Sequence, residues 1–271
     1  MRTLTILISL TCSVATAFAH GPLDESLART SGSIESAGAT YAALVQRAEL
    51  HRVRNEYALA LADLERAEQL APESQIWFFR GRVQLDAGQA ASAEQAFRRY
   101  TAAKPDDPLG YAFRARALVA MGRNQAAVGV YSAALARAPR VQFFFEQARA
   151  QVRAGDTLAA LRGLDRGRAQ LGLSTPLELY AVELELSKGR VDAALLRLTR
   201  IEAHAKRKAP WQLRRGQILT RAGRVEEARE ALLGGLEALQ QARRSRRRTA
   251  SNDKLRAEFE AALAELPEPA S

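Results

Sequence analysis

Residues 77–105 read WFFRGRVQLDAGQAASAEQAFRRYTAAKP, and the organisation of the whole chain follows from this stretch. A helical pattern runs up to Gly88, and a polar residue and alanine pairs follow it. Glycine reaches left-handed backbone angles cheaply, as a tight turn between antiparallel helices requires. Pro105 closes the segment, because proline lacks the N–H donor and restricts the residue before it. The stretch therefore predicts helix, turn, helix, stop.

The same punctuation continues outward. Gly88 is followed by Gly122, Gly155, Gly189 and Gly223 at spacings of 34, 33, 34 and 34 residues, and Asn55 lies 33 before it. Asparagine is the next residue type to tolerate left-handed angles. Pro72, Pro105 and Pro139 mark the breaks between units at spacings of 33 and 34. Local sequence repeats around each turn, as in Met121-Gly122-Arg123-Asn124-Gln125-Ala126-Ala127 and Lys188-Gly189-Arg190-Val191-Asp192-Ala193-Ala194.

A 34-residue helix–turn–helix period resembles the tetratricopeptide repeat family. The unit from Ser74 carries its motif in Trp77, Gly81, Ala93, Phe97, Tyr100 and Pro105. The unit from Pro108 carries Tyr111, Ala115, Ala127, Tyr131, Ala134 and Pro139, and the unit from Tyr41 carries Leu44, Ala48, Ala60, Leu64, Ala67 and Pro72. Units starting near 141, 175 and 209 are more degenerate but stay in phase, with Ala148, Ala160, Ala194, Gly216 and Ala228 at the small positions. The resemblance implies an all-α, right-handed superhelical solenoid of about six units over residues 41–242. Small residues let the helices of a pair approach closely, and stacking of neighbours builds the core that one pair cannot build alone.

The ends read differently. Met1-Arg2, an uncharged run from Leu4 to Phe18, and Ala17-Phe18-Ala19 form the pattern of a cleaved signal peptide over 1–19, with His20 as the mature first residue. The run is short for a membrane anchor, and no later segment approaches the ~20 apolar residues needed to span a bilayer. The chain's one cysteine, Cys12, lies in this leader, so a mature chain has no thiol for disulfide or metal chemistry. Residues 20–40 are expected to form an N-terminal segment and capping helix weakened by Gly32 and Gly38. Residues 243–253 form an arginine-rich link. Residues 254–266 place Leu255, Phe259, Leu263 and Leu266 at helical spacing as a closing helix, and 267–271 are a tail.

Composition narrows function. The 271 residues carry 40 Lys+Arg against 30 Asp+Glu, a formal charge of +10, with 47% apolar content and three histidines. That is a folded, basic chain with little material for a metalloenzyme. No nucleophile–base pair, phosphate-binding glycine loop or metal-ligand spacing occurs, so the expectation is a non-enzyme without cofactor.

The resemblance assigns the ninth position of each unit to the concave groove, where the chain has Glu49, Arg82, Arg116, Arg149, Glu183 and Gln217. Arg82, Arg116 and Arg149 would form a ladder, with Arg52 and Arg153 nearby and Phe78 and Phe145 as apolar shelves. Guanidinium groups beside such shelves suit an anionic protein or peptide ligand of the cell envelope. Arg47, Arg80, Arg114 and Arg215 occupy the seventh position and are expected to pack along their stems with heads in water.

Two further readings concern the ends of the chain. Arg243, Arg244, Arg246, Arg247 and Arg248 form a basic patch suited to polyanions or lipid head groups; in an exported chain nucleic acid is not the expected partner. His20 and His51 are candidate metal ligands, with packing the expected role of His51. Composition leaves oligomeric state open.

The leader reading has a direct test. Intact-mass measurement of protein recovered from the periplasmic fraction should give a chain beginning at His20. A chain retaining Met1, or lipid-modified at Cys12, overturns the expectation.

Overall fold

A computed structural model describes residues 13–73, 75–244 and 250–267. Among these residues the chain is helical and contains no strand. It divides into two compact units, Met1–Ala138 and Pro139–Ser271.

The first unit opens with α1 (Ser13–Ala37) and continues in three pairs: α2 (Tyr41–Val53) with α3 (Tyr57–Leu70), α4 (Ile76–Asp86) with α5 (Ala90–Ala103), and α6 (Pro108–Ala120) with α7 (Asn124–Arg137). The second holds α8 (Val141–Arg153) with α9 (Thr157–Leu171), α10 (Thr175–Ser187) with α11 (Val191–His204), and α12 (Ala209–Arg221) with α13 (Val225–Arg244). It ends with α14 (Ala250–Ala264).

One turn joins the two helices of every pair. Asn55, Gly88, Gly122, Gly155, Gly189 and Gly223 all have positive φ, between 62° and 87°. Around Gly88, the Gly88 N–H donates to the Leu85 carbonyl at 3.1 Å and the Gln89 N–H to the Gln84 carbonyl at 2.8 Å. This pair of bonds satisfies carbonyls that the helix end would otherwise leave open. The same two bonds recur at the other five turns. Starts are fixed too: Thr40, Asp107 and Asp156 side chains accept the N–H groups of Ala43, Leu109 and Ala159.

Within a pair the helices meet at the small residues. Ala48, Ala60, Ala93, Ala115, Ala127, Ala148, Ala160, Ala194 and Ala228 are buried. A Cβ on Gly81 would lie 2.7 Å from the Phe97 ring, and one on Gly216 would lie 2.5 Å from Leu232.

In the first unit Leu44, Leu64, Ile76 and Val83 build one core, and Phe97 with Ala93 and Ala117 builds the next. In the second, Val182, Leu198, Ile201, Leu213 and Leu232 join one core that also takes Phe259. The terminal helices continue the stacking. α1 packs on α2, and Ile34 enters the first core; α14 packs on α13 and α12, as the first helix of a further pair would. Gly235 admits Phe259, which is wholly buried. α1 runs through Gly32 and stops where Gly38 takes φ 87°, so only the second glycine breaks it.

The arginines of the seventh position depart from expectation. Their heads end on carboxylates of second helices instead of in water. Arg47 grips Asp63 through two bonds of 2.7 and 2.6 Å, Arg80 meets Glu68 at 2.7 Å, Arg114 meets Glu94 at 2.9 Å, and Arg215 meets Glu202 at 3.3 Å. Burial opposes ionisation of Glu94, yet the hydrogen bonds from Arg98 and Arg114 hold its carboxyl below the usual range.

A larger charge cluster lies inside the second unit. Arg197 reaches Asp165 at 2.8 Å, Glu185 at 3.3 Å and Glu178 at 3.5 Å, and both glutamates are buried with it. Arg168 and Arg190 neutralise the outer sides of Glu178 and Glu185. The cluster ties α9, α10 and α11 together.

Substitutions at Arg197, Gly81 and Gly129 test this packing. Arg197→Met leaves buried carboxylates without their common cation and should destabilise the second unit by about 3 kcal/mol. Adding Glu178→Leu and Glu185→Leu should recover most of the loss. Urea unfolding followed by Trp211 fluorescence in a Trp77→Phe background reads this unit. Gly81→Ala should cost about 1–3 kcal/mol through overlap with Phe97. Gly129→Ala, with open space around its Cβ, should instead stabilise by about 0.5–1 kcal/mol.

Candidate functional site

The first helices present their fifth, ninth and thirteenth positions on one stripe, because residues four apart lie one turn above each other. In the first unit α2, α4 and α6 pack side by side, which brings the stripes together. Arg82 lies 5.9 Å from the ring centres of both Phe78 and Phe113, and Arg116 lies 4.5 Å over Phe113. Phe78 and Phe113 in turn pack edge-to-face on each other at 5.2 Å, with Phe97 and Tyr100 behind Phe78 at 5.9 and 5.1 Å. The shelf is thus the outer layer of the core, held rigid by it.

Two of the arginines are neutralised from within. Arg82 meets Glu49 at 2.9 Å. Arg52 meets the same glutamate at 3.3 Å and also bonds Asp86. Beside them, Tyr41, Val45, Leu50 and Val53 of α2 and Phe79 of α4 line a mostly apolar cleft of about 550 Å³ with Glu49 at its edge. Val53 is exposed there.

The second unit has a different balance. Phe145, Arg149 and Arg153 follow each other along one stripe of α8, and Tyr180 of α10 packs its ring on Phe145 at 4.9 Å. Arg149 lies 5.9 Å from the Phe145 ring centre. Among the described residues neither Arg149 nor Arg153 has a carboxylate within ion-pair distance. Burial raises the Tyr180 hydroxyl pKa above its ordinary value, with Arg149 and Arg153 pulling it down and Glu183 pushing it up.

The structure therefore brings Arg82, Arg116 and Phe78 together in the first unit, and Arg149, Arg153 and Phe145 together in the second. Arg52 belongs to an internal ion-pair group. Four residues escaped the sequence reading in these roles: Phe113 and Tyr180 as partners of the arginines, and Glu49 and Asp86 as counter-charges. Aligned units contain the signal for all of them. Phe79, Phe113 and Tyr180 share the sixth position, and Glu49–Arg82 and Arg52–Asp86 are opposite charges one repeat apart.

The remaining candidates stand as follows. His51 shares a 2.6 Å hydrogen bond with Glu56 through Nδ1, and its side chain is largely buried. That bond, followed by the one from Arg54, holds the Glu56 carboxyl below its ordinary value. No group of three or more His, Cys, Asp or Glu residues placed to hold a metal occurs among the described residues. His20 falls within α1, while Arg243 and Arg244 end α13. Arg246, Arg247 and Arg248, the first twelve residues and the last four lie outside the described residues. No described helix is long and apolar enough to cross a membrane.

Comparison with known proteins places this geometry in a family. No curated protein is recognisably similar to the chain. A tetratricopeptide repeat protein from Parabacteroides merdae ATCC 43184 has a similar fold, with TM-score 0.54 and 13% identity over 91% of this chain and 97% of that one. Residues 41 to the end of MamA from Desulfovibrio magneticus RS-1 give TM-score 0.50 and 16% identity over 57% of this chain and 89% of that one. The tetratricopeptide repeat family model matches residues 45–108, 114–170 and 181–243, well over half of the sequence. With the repeated turn, the small helix contacts and this match in register, the chain belongs to the tetratricopeptide repeat family.

Proposed function

We propose that the chain is an exported, non-catalytic scaffold that binds an anionic segment of another envelope protein through the exposed stripes of its first helices. The observation that carries this reading is a ninth-position guanidinium laid against an aromatic ring in both units, Arg116 on Phe113 and Arg149 on Phe145. At Arg149, which has no carboxylate within ion-pair distance among the described residues, the edge N–H donors can meet an incoming carboxylate while the ring offers an apolar contact beside it. The family's repeats supply the stiff frame that such a surface needs. Export rests on the uncharged run from Leu4 to Phe18 and the Ala17-Phe18-Ala19 site.

The test begins with capture of a partner from envelope extract by mature protein and its identification by mass spectrometry. Affinity is then measured for Arg82→Glu, Arg116→Glu and Arg149→Glu combined. A charge-assisted contact contributes about 1.5–3 kcal/mol, so the triple variant should bind at least about 100-fold more weakly. Circular dichroism must show the helices intact, since Arg82 also pairs with Glu49. The comparison variant reverses Arg243, Arg244 and Arg246. Full binding by the triple variant, with loss in the comparison variant, would transfer the role to the basic patch.

A further inference from the structure

We infer that the anionic group of the ligand is read in the second unit at Arg149 and Arg153, beside an apolar subsite formed by Phe145 and Tyr180. The inference deepens the scaffold reading and rests on it. It separates this pair from Arg82, which shares their stripe by register but already holds a carboxylate.

The argument is one of charge balance. Two guanidinium groups one helical turn apart repel each other, at a cost of a few tenths of a kcal/mol for an exposed pair. Elsewhere on this register the chain removes that cost internally. Arg52 and Arg82 share Glu49, and Arg52 also holds Asp86. A ligand carboxylate arriving at either must displace a carboxylate already in place, so its net gain is small. At Arg149 and Arg153 no such exchange is required. Glu183 is the acidic neighbour on α10, and it lies beyond ion-pair distance of both. Glu146, three residues before Arg149 on α8, is a second acidic neighbour, and it too forms no ion pair with either arginine, so both exposed guanidinium groups can take an incoming carboxylate.

The surroundings select the kind of anion. Phe145 and Tyr180 meet at 4.9 Å and form an apolar step directly beside the two cations. A simple polyanion or a lipid head group gains nothing from that step. A protein segment gains from both, provided an Asp or Glu pair has an aromatic or aliphatic residue close by in its chain. The occupant that fits is therefore an acidic peptide segment with one apolar anchor.

The probes are fluorescein-labelled dodecapeptides carrying an Asp-Glu pair with one Phe or Leu, their Asn-Gln counterparts, and heparin and phosphatidylglycerol vesicles as non-peptide anions. Fluorescence anisotropy is read on the full mature chain at two salt concentrations. The acidic peptides should bind, and Arg149→Gln with Arg153→Gln should weaken them about 30-fold or more and flatten the salt dependence. Arg82→Gln should change affinity less than about threefold. Phe145→Ala should weaken the peptides but not heparin.

Failure of every acidic peptide to bind, or equal loss in the Arg82 variant, overturns the inference. So does heparin or vesicle binding that matches the peptides and ignores Phe145. The captured envelope partner separates the two levels. If it binds normally to the Arg149/Arg153 variant but not to the triple reversal, the scaffold stands and this subsite is wrong. If it ignores both, the stripe itself is wrong.

Discussion

Six times along the chain a single residue turns the backbone to positive φ and lets two helices run back against each other. The geometry that follows is tightly constrained. A residue with a β-branched side chain at that point would strain the turn, and without its pair of hydrogen bonds two carbonyls at the helix end would lack partners. Because the turn is short, the helices must meet within a few residues, which is why alanine or glycine faces the partner there. Gly81 against Phe97 and Gly216 against Leu232 show how little room is left. The large side chains then fill the spaces between pairs, and the core runs from pair to pair within each unit.

Charge is organised by the same repetition. The chain is strongly basic, yet many of its arginines are committed to internal work. The seventh-position arginines bind carboxylates on second helices, and Arg197 gathers Asp165, Glu178 and Glu185 in the middle of the second unit. Desolvating so many ions is costly, and the pairs hold because each carboxylate finds a cation in hydrogen-bonding geometry. The excess of positive charge therefore says less about a partner than its size implies. What matters is which guanidinium groups remain without a carboxylate once the internal pairs are made.

That residue of uncommitted charge gives the candidate site its character. Arg82 and Arg149 hold the same position in their units and lie over rings in the same way, but Glu49 stands beside one and no carboxylate pairs with the other. Two positions equivalent by register thus differ by one neighbour contributed from an adjacent helix. The aromatic shelves carry double duty, since Phe78 and Phe113 both close the core and present a surface.

The sequence by itself determined the period, the turns and the small contacts, because each depends on a residue type at a fixed place: positive φ at Gly88 and its equivalents, closeness at Ala93, helix ends near Pro105. It also showed which arginines share a register. What those arginines do was decided by tertiary structure. Whether Arg47 reaches water or Asp63, whether Arg82 is free or held by Glu49, and that Tyr180 backs Phe145 depend on side chains 16 to 35 residues apart meeting across helices. The helical period fixes which face a residue lies on. The packing between helices fixes which opposite charge or ring it meets there, and for long, flexible arginine side chains that meeting decides function.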